Sequence, residues 1–242
     1  SSLTSIIIPD SVTSIGSSAF WGCSSLISVE IPDSVTSIGR YSFYSCSSLI
    51  SIIIPSSVTY IGHTAFADCY KLVEVVNKST HITVTMGGDS SNSYISLHAL
   101  AVYNVNDEYV TKLSNDNGYI IYTDGSDKIL VAYTGSETNL TLPSYITKIN
   151  DYAFIFCENL TSVVIPDSVK SINSHVFEGC TNLTSVVIGN GVTVIDEWAF
   201  AHCQSLTSII IGDKVTTIGD YAFYGCTNLS SVVIPNSVTT IG

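Results

Sequence analysis

Residues 5–23 read SIIIPDSVTSIGSSAFWGC, and related stretches recur through most of the chain. In every copy a Phe precedes the Cys by three residues, and a Leu follows it by three residues. The period is 23 residues within each of two groups of cysteines, which are Cys23, Cys46 and Cys69, and then Cys157, Cys180, Cys203 and Cys226. A fixed period of this length is typical of a solenoid, in which each repeat forms one coil and buries its apolar side chains against its neighbours.

Each repeat begins with a predicted β-strand. Ser5 and Ile7 alternate with Ile6 and Ile8, which is the two-residue period of a strand. The turn-forming residues at 9–11 end this strand. One side of the strand is therefore expected to face a core and the other to face away from it.

A short helical turn is predicted to close each coil. A second extended piece, over 12–15, leads to a position that holds only Gly, Asn or Asp. These residue types cap helix N-termini and tolerate positive φ, so we expect a helical turn to follow, with Ala19, Phe20 and Cys23 facing inward. The shared position comprises Gly16, Gly39, Gly62, Asn150, Asn173, Asp196, Gly219 and Gly242.

Stacking of the coils is expected to place equivalent residues above one another. Strands of neighbouring coils would pair in parallel at about 4.8 Å, so that Ile209 stacks on Val186. The predicted fold class is α/β: a right-handed solenoid of parallel strands and short helical turns, interrupted by an irregular insertion that contains a β-hairpin.

The recurring IPDSVTSIG stretches, followed by AF and Cys, resemble the BspA-like class of leucine-rich repeats. The resemblance covers residues 1–72 and 138–242, and it implies that the solenoid is of the leucine-rich-repeat type. It also implies an exported or surface-attached protein, of a kind found in bacteria and some protozoa, with a role in adhesion and host-protein binding. The family has no shared catalytic set to carry over.

The domain organisation follows from where the repeat is regular. We predict a single leucine-rich-repeat domain over 1–242, with N-terminal coils at 1–75, an insertion at 76–137 packed on the solenoid, and C-terminal coils at 138–242. Because the chain starts and ends within repeat units, we expect it to be a fragment of a longer array.

The insertion has recognisable parts of its own. Gly118–Tyr122 and Lys128–Tyr133 flank the turn residues at 123–127 and predict a β-hairpin, whose apolar residues pack on the solenoid or extend its sheet. Ala99–Tyr103 resembles a degenerate copy of the AFxxC turn, and Met86–Asn92 is expected to be a flexible loop.

Composition excludes some classes of partner. The chain has 242 residues, of which 12% are charged, with 8 basic residues against 20 acidic ones and a net charge of -12. This balance argues against a nucleic-acid ligand. Apolar runs are far too short for direct insertion into a membrane.

Candidate chemical groups show no catalytic or metal-binding spacing. No CxxC pattern is present, and an odd number of cysteines at one repeat position predicts a buried, reduced ladder of thiols. We therefore expect no metal, no cofactor and no enzyme. The insertion is the one region irregular enough to hold a hydrolase-like site, a remote alternative, and its titratable residues include His81, Asp89, His98, Asp107 and Glu108.

Aromatic residues form two columns beside the inward-facing Phe. Packing between neighbouring turns explains these columns, and a binding stripe on the convex side is the alternative. One column comprises Tyr41, Tyr152, Trp198 and Tyr221, and the other comprises Trp21, Tyr44 and Tyr224.

The outward face of the strands is the predicted ligand-binding surface. Alternation turns two columns away from the core, one of Ser and one of Ile or Val that is interrupted by Glu30. An exposed apolar stripe is typical of an interaction site, although the β-propensity of Ile and Val alone also explains it. The predicted ligand-binding residues are Ser5, Ile7, Ser28, Glu30, Ser51, Ile53, Ser162, Val164, Ser185, Val187, Ser208, Ile210, Ser231 and Val233.

These observations and the resemblance together predict a non-enzymatic protein-binding or adhesion scaffold, extracellular or at the cell surface. The expected ligand is a protein, such as an extracellular or surface protein of a host. The alternative is a structural spacer array with no ligand of its own.

Overall fold

The computed structural model describes residues 3–88 and 93–242. These residues form two compact units, Ser1–Thr111 and Lys112–Gly242. The boundary between the units lies within the stretch that the sequence sets apart as an insertion. Each unit is a β-solenoid, and we call them the N-terminal and the C-terminal unit.

The N-terminal unit contains two kinds of strand in each coil. Its long strands pair in parallel: β1 pairs with β3, β5 pairs with β7, and β7 pairs with β8. Parallel short strands form a second layer in the order β2-β4-β6. In chain order the strands are β1 (Ser5–Ile7), β2 (Ser14–Ile15), β3 (Ser28–Glu30), β4 (Ser37–Ile38), β5 (Ser51–Ile54), β6 (Tyr60–Ile61), β7 (Glu74–Asn77) and β8 (Ala101–Tyr103).

The C-terminal unit begins with an antiparallel meander and continues as a solenoid. The meander consists of β9 (Leu113–Asp116), β10 (Tyr119–Asp124) and β11 (Asp127–Tyr133). The remaining strands are the long β12 (Asn139–Thr141), β14 (Ser162–Ile165), β16 (Ser185–Ile188) and β18 (Ser208–Ile210), and the short β13 (Lys148–Ile149), β15 (Ser171–Ile172), β17 (Val194–Ile195), β19 (Thr217–Ile218) and β20 (Thr240–Ile241).

The predicted hairpin is present and extends a sheet of the solenoid. Strands β10 and β11 pair antiparallel, and β11 then pairs in parallel with β13, where Leu130 lies opposite Ile149. Ile121 and Leu130 belong to the same buried cluster as Leu140 and Phe154. The antiparallel strands therefore cover the first coil of the C-terminal solenoid, because their inner face takes the place of a preceding coil.

Equivalent residues stack in register, as the 23-residue period requires. Val186 lies opposite Ile209, which confirms the expected pairing. The buried Phe rings also stack, with centroids 5.1 and 5.2 Å apart in the N-terminal unit and 5.0 to 5.6 Å apart in the C-terminal one. Burial of these ladders is the main source of stability for coils that have no core of their own.

The predicted helical turn is wrong, and so is the α/β class that depended on it, because none of the residues described here lies in a helix. The N–H groups of Ala19 and Trp21 bond three residues back, to the carbonyls of Gly16 and Ser18. The N–H group of Phe20, between them, bonds to a carbonyl of the next coil, at Ser42. A helix about 10–12 Å wide does not fit coils held about 4.8 Å apart by parallel strands on both layers.

Positive φ occurs two residues later than the sequence suggested. Gly39 is needed because a Cβ there would lie 2.6 Å from the backbone nitrogen of Ser17 in the preceding coil, and its φ is not positive. Left-handed backbone, with φ between 56° and 61°, instead falls on Ser18, Tyr41, Thr64, Tyr152, His175, Trp198 and Tyr221. These residues accept the strained conformation where the chain alternates between local and inter-coil hydrogen bonds.

Regular coils continue further into the predicted insertion than the repeat pattern indicated. Strand β8 pairs with β7, so that Val75 lies opposite Val102 at a spacing of 27 residues. The turn of this coil lies at 93–98, whereas 101–103 form a strand, and the degenerate turn predicted at Ala99–Tyr103 is therefore wrong. Asp89–Asn92, within the loop predicted at 86–92, lie outside the described residues.

Adjacent residues of β18 give a direct test of the core assignment. Ile209→Ala removes a buried side chain and is expected to lower the free energy of unfolding by about 2–5 kcal/mol. Ile210→Ala is the matched control, because Ile210 is 59% exposed, and should cost less than about 1 kcal/mol. Urea unfolding followed by circular dichroism measures both, and equal costs would contradict the inward and outward assignment.

Strain at the left-handed position is tested by Thr64→Gly. A β-branched residue at a φ of 56° stores strain of the order of 1–3 kcal/mol, which glycine releases. Since glycine also loses about 0.5–1 kcal/mol more backbone entropy on folding, we expect a net gain of about 1 kcal/mol in thermal or urea unfolding. Thr59→Gly, at a residue without positive φ, should destabilise instead. A loss of stability in Thr64→Gly would rule out significant strain there.

Candidate functional site

The outward face of the long strands carries the predicted ligand-binding residues. Ile7 is 75% exposed next to the buried Ile8, and Ile210 is 59% exposed next to the buried Ile209. Alternation in the strands therefore separates core from surface, as predicted. Ile53, Val164, Val187 and Val233 are exposed as well, and Glu30 is exposed among them.

The Ser column lies beside this apolar column. Ser5 pairs with Ser28, and Ser162 pairs with Ser185, which in turn pairs with Ser208. Ser51, Ser162 and Ser185 are half-buried, and Ser5, Ser28, Ser208 and Ser231 are exposed. Ser231 and Val233 keep their outward exposure but lie outside any strand.

A shallow groove of about 550 Å³ follows the outward face of the N-terminal unit. Its floor includes Ile7, Glu30 and Ile53. The turns that follow the strands contribute Asp10 and Asp33 to its lining, and Lys78 is its one basic residue. Apolar side chains and carboxylates thus line the same depression.

The C-terminal unit has an equivalent groove of about 550 Å³. Its apolar column is uninterrupted and consists of Val164, Val187 and Ile210. Along the turns, the N–H of Asn190 donates to Oδ1 of Asp167 at 2.7 Å. The next coil repeats this bond, from the N–H of Asp213 to Oδ1 of Asn190 at 3.0 Å. The turns that border this groove are therefore held by a ladder of side-chain to backbone bonds.

A segment of the chain covers the outward face at β7, a feature that the sequence analysis missed. Glu74 and Val76 point away from the core, yet Glu74 is fully buried and Val76 is 5% exposed. The Tyr109 hydroxyl donates to Oε2 of Glu74 at 3.0 Å, and the Thr111 hydroxyl donates to the same oxygen at 2.9 Å. Residues 104–111, the covering segment, therefore end the exposed apolar column of this unit.

One signal could have revealed the covering segment. Regular repeats have Ser where β7 has Glu74, and a carboxylate in that column requires donors once it is buried. Tyr103, which lies opposite Val76 one coil later, packs edge-on against Tyr109 at 5.1 Å. Burial, with the nearby Glu74 carboxylate, raises the pKa of Tyr109, which keeps its hydroxyl protonated as a donor.

The aromatic columns pack mostly on themselves. Tyr152 stacks on His175 at 4.9 Å, and Trp198 stacks on Tyr221 at 4.5 Å. In the other column Trp21 lies 5.2 Å from Tyr44. Rings of neighbouring turns therefore pack on one another in these columns, although Trp21, Tyr221 and Tyr224 keep more than half of their surface exposed.

The cysteines form a ladder without disulfides, and all seven lie in the described part of the chain. Cys46, Cys69, Cys180 and Cys203 are buried. The expectation of complete burial is wrong for Cys23, Cys157 and Cys226, which are half-buried because a neighbouring coil covers them less completely.

Each buried thiol is also bonded to the coil before it. The Cys46 thiol donates to the carbonyl of Phe20 at 3.2 Å, and Cys69 bonds in the same way to Phe43. Burial raises the pKa of Cys46 to about 12 and that of Cys69 well above its usual value. These thiols are therefore packed as small apolar groups rather than as nucleophiles.

Titratable residues of the predicted insertion serve local contacts. His98 packs edge-on against Tyr70 at 5.8 Å, and Asp107 accepts a bond from the N–H of Asn104 at 2.7 Å. Asp89 lies outside the described residues. Across residues 3–88 and 93–242, the His, Cys, Asp and Glu side chains form no group of three or more that could hold a metal ion. Within the same ranges, no helix has the length and apolar character to cross a membrane.

A comparison with protein families identifies the class of repeat. Residues 1–106 and 131–242 match the family described as BspA type leucine rich repeat region. The match therefore includes the coil at β7 and β8 that the repeat pattern did not reveal. A sequence search of curated proteins finds no match.

Several solved structures are similar to the chain. A leucine rich cell surface protein from Faecalibacterium prausnitzii is 24% identical, with 99% of this chain and 78% of that chain covered and a TM-score of 0.43. A leucine-rich repeat protein from Bacteroides ovatus is 24% identical, with 98% and 72% covered and a TM-score of 0.40. The pneumococcal vaccine antigen PcpA is 16% identical, with 98% and 74% covered and a TM-score of 0.47.

Thiol labelling tests the ladder. With Ellman's reagent at pH 8, we expect the four buried cysteines of the native protein to stay unlabelled, because at a pKa of about 12 roughly 1 in 10,000 Cys46 thiols is ionised. Cys23, Cys157 and Cys226 should react slowly. All seven should react at once in denaturant, and rapid labelling of more than three native thiols would contradict this arrangement.

Proposed function

The chain belongs to the family of BspA-type leucine-rich repeat proteins, and we propose that it is a non-enzymatic, protein-binding or adhesion scaffold that acts outside the cell or at its surface. The observation that carries this proposal is the outward column of exposed Ile and Val, which lines a groove in each unit. The ligand is a protein, such as an extracellular or surface protein of a host.

Exposure of the column supports a binding role. Ile and Val side chains lie in register on successive strands, so their exposed surfaces join into one stripe instead of scattering. Contiguous apolar patches bordered by polar residues are typical of protein interaction sites. The Ser column, the carboxylates at the turns and the groove itself supply that border.

The chemistry of the grooves supports a role without catalysis. Their linings consist of aliphatic side chains, Ser, Pro, Gly, Asn, carboxylates and one Lys, and neither lining as described includes a His or a Cys. The carboxylates stand at the turns or within the apolar column, and the Ser hydroxyls of the lining as described have no His beside them to act as a base. Such a surface is suited to holding a partner by contact.

Charge added to the column tests the proposal. Val187→Lys with Ile210→Lys places two ammonium groups on the outward face, where both side chains are exposed, so the fold should survive. Binding is measured by interferometry on immobilised collagen, laminin and other purified extracellular-matrix proteins. We expect the double variant to lose about tenfold or more in affinity for any matrix protein that the wild type binds.

A matched control separates the position of the added charge from the change in net charge. Thr193→Lys with Thr216→Lys adds the same charge at exposed residues beside the short strands, and should leave affinity unchanged. Failure of the wild type to bind any matrix protein favours the spacer alternative. Undiminished affinity in the outward-face variant would exclude this column as the contact surface.

A further inference from the structure

We propose that the groove of the N-terminal unit binds an extended, basic segment of polypeptide, in which apolar residues and Lys or Arg lie two positions apart and so share one face. This inference rests on the proposed function and specifies the partner. It depends on the way in which carboxylates and aliphatic side chains share the floor of the groove.

The charges in this groove are predominantly negative. Asp10, Glu30 and Asp33 contribute carboxylates, and Lys78 is the single basic residue of the lining. Glu30 is exposed and lies within the apolar column, one coil from Ile7 on one side and from Ile53 on the other. A partner that covers the two Ile side chains therefore also covers the Glu30 carboxylate, which would then need a cation or hydrogen-bond donors.

The dimensions of the groove match an extended peptide. Ile7 and Ile53 are two coils apart, or about 10 Å at the usual spacing of parallel strands. An extended chain rises about 3.3 Å per residue, so about four residues cross this distance. Side chains two positions apart share one face of an extended chain. Apolar and basic residues spaced in this way would therefore both lie over the column, with the basic ones near Glu30.

The covering segment shows how polypeptide packs on this face. At β7, Val76 lies in the same column as Ile53 and is buried beside Tyr103 of β8, whose ring packs on Tyr109 of the covering segment. The carboxylate beneath this segment, Glu74, accepts bonds from Tyr109 and Thr111 of the segment. The outward face therefore already holds one stretch of chain that combines apolar cover with donors to a carboxylate, and the groove offers the same combination two strands away.

The equivalent groove of the C-terminal unit provides an internal comparison. Its column of Val164, Val187 and Ile210 has no carboxylate within it. Asp167 and Asp213 lie at its border, as Asp10 and Asp33 do in the other groove. The two grooves therefore differ by Glu30, and the preference for a basic partner is expected to be stronger in the groove that contains it.

Three labelled peptides test the inference by fluorescence anisotropy. The probe GVSRSVSRG carries both kinds of side chain on one face, GVSESVSEG reverses the charge, and GSSRSSSRG lacks the apolar residues. We expect GVSRSVSRG to bind the wild type at least about tenfold more tightly than either of the others. Equal binding of GVSESVSEG, or of GSSRSSSRG, would overturn the proposal, because charge or apolar contact would then be irrelevant.

Charge reversal in the protein localises the contact. Glu30→Lys with Asp33→Lys should weaken the binding of GVSRSVSRG by about tenfold or more. The control Glu137→Lys with Glu197→Lys, at exposed carboxylates outside the groove lining, should change this affinity by less than about twofold. Unchanged melting by circular dichroism shows that each variant folds. Equal effects of the two pairs would also overturn the proposal.

The outcome is separable from that of the proposed function. Loss of peptide preference with intact binding to matrix proteins would remove the basic-segment inference alone. If the double substitution Val187→Lys with Ile210→Lys leaves the affinity for matrix proteins unchanged, only the proposed role of the C-terminal column would be excluded.

Discussion

The spacing between neighbouring coils is the constraint on which the rest of this structure depends. Parallel strands pair in both the long and the short layers, so every residue of a coil must lie about 4.8 Å from its counterpart in the next. A helix does not fit this spacing, and the third side of each coil is built from turns instead. These turns direct alternate N–H groups to the next coil, which requires left-handed backbone at residues as large as Trp198.

The same spacing explains where glycine and aromatic residues occur. Gly39 and Gly62 lie so close to the preceding coil that a Cβ would fall within 2.6 Å of its backbone. At the left-handed position, by contrast, side chains extend outward and stack, as Trp198 and Tyr221 do at 4.5 Å. Stacking of aromatic pairs contributes about 0.5–1.5 kcal/mol, which offsets part of the strain at these residues.

The sequence predicted those features that depend on period and alternation alone. The pairing of Val186 with Ile209, the opposite exposure of Ile209 and Ile210, and the hairpin at 119–133 all follow from local pattern. The helical turn was wrong because Gly, Asn and Asp occur in tight turns as well as at helix caps, and only the spacing of both sheets decides between the two. The covering segment could not be predicted, because Tyr109 and Thr111 lie outside the regular repeat. They contact Glu74 across sequence separations of 35 and 37 residues.

The repeats of this protein differ from one another mainly at positions where stacking does not determine the residue type. Inward positions keep Ile, Val, Leu, Phe and Cys because each side chain packs on its counterparts above and below. Outward positions carry no such requirement, and two of them hold Glu. At Glu74 the carboxylate is buried and satisfied by hydroxyls of the covering segment, so that part of the column is closed. At Glu30 the carboxylate remains exposed between apolar neighbours. Both substitutions introduce the same group into the outward face, and the presence or absence of a covering segment decides whether that group is buried or stays exposed.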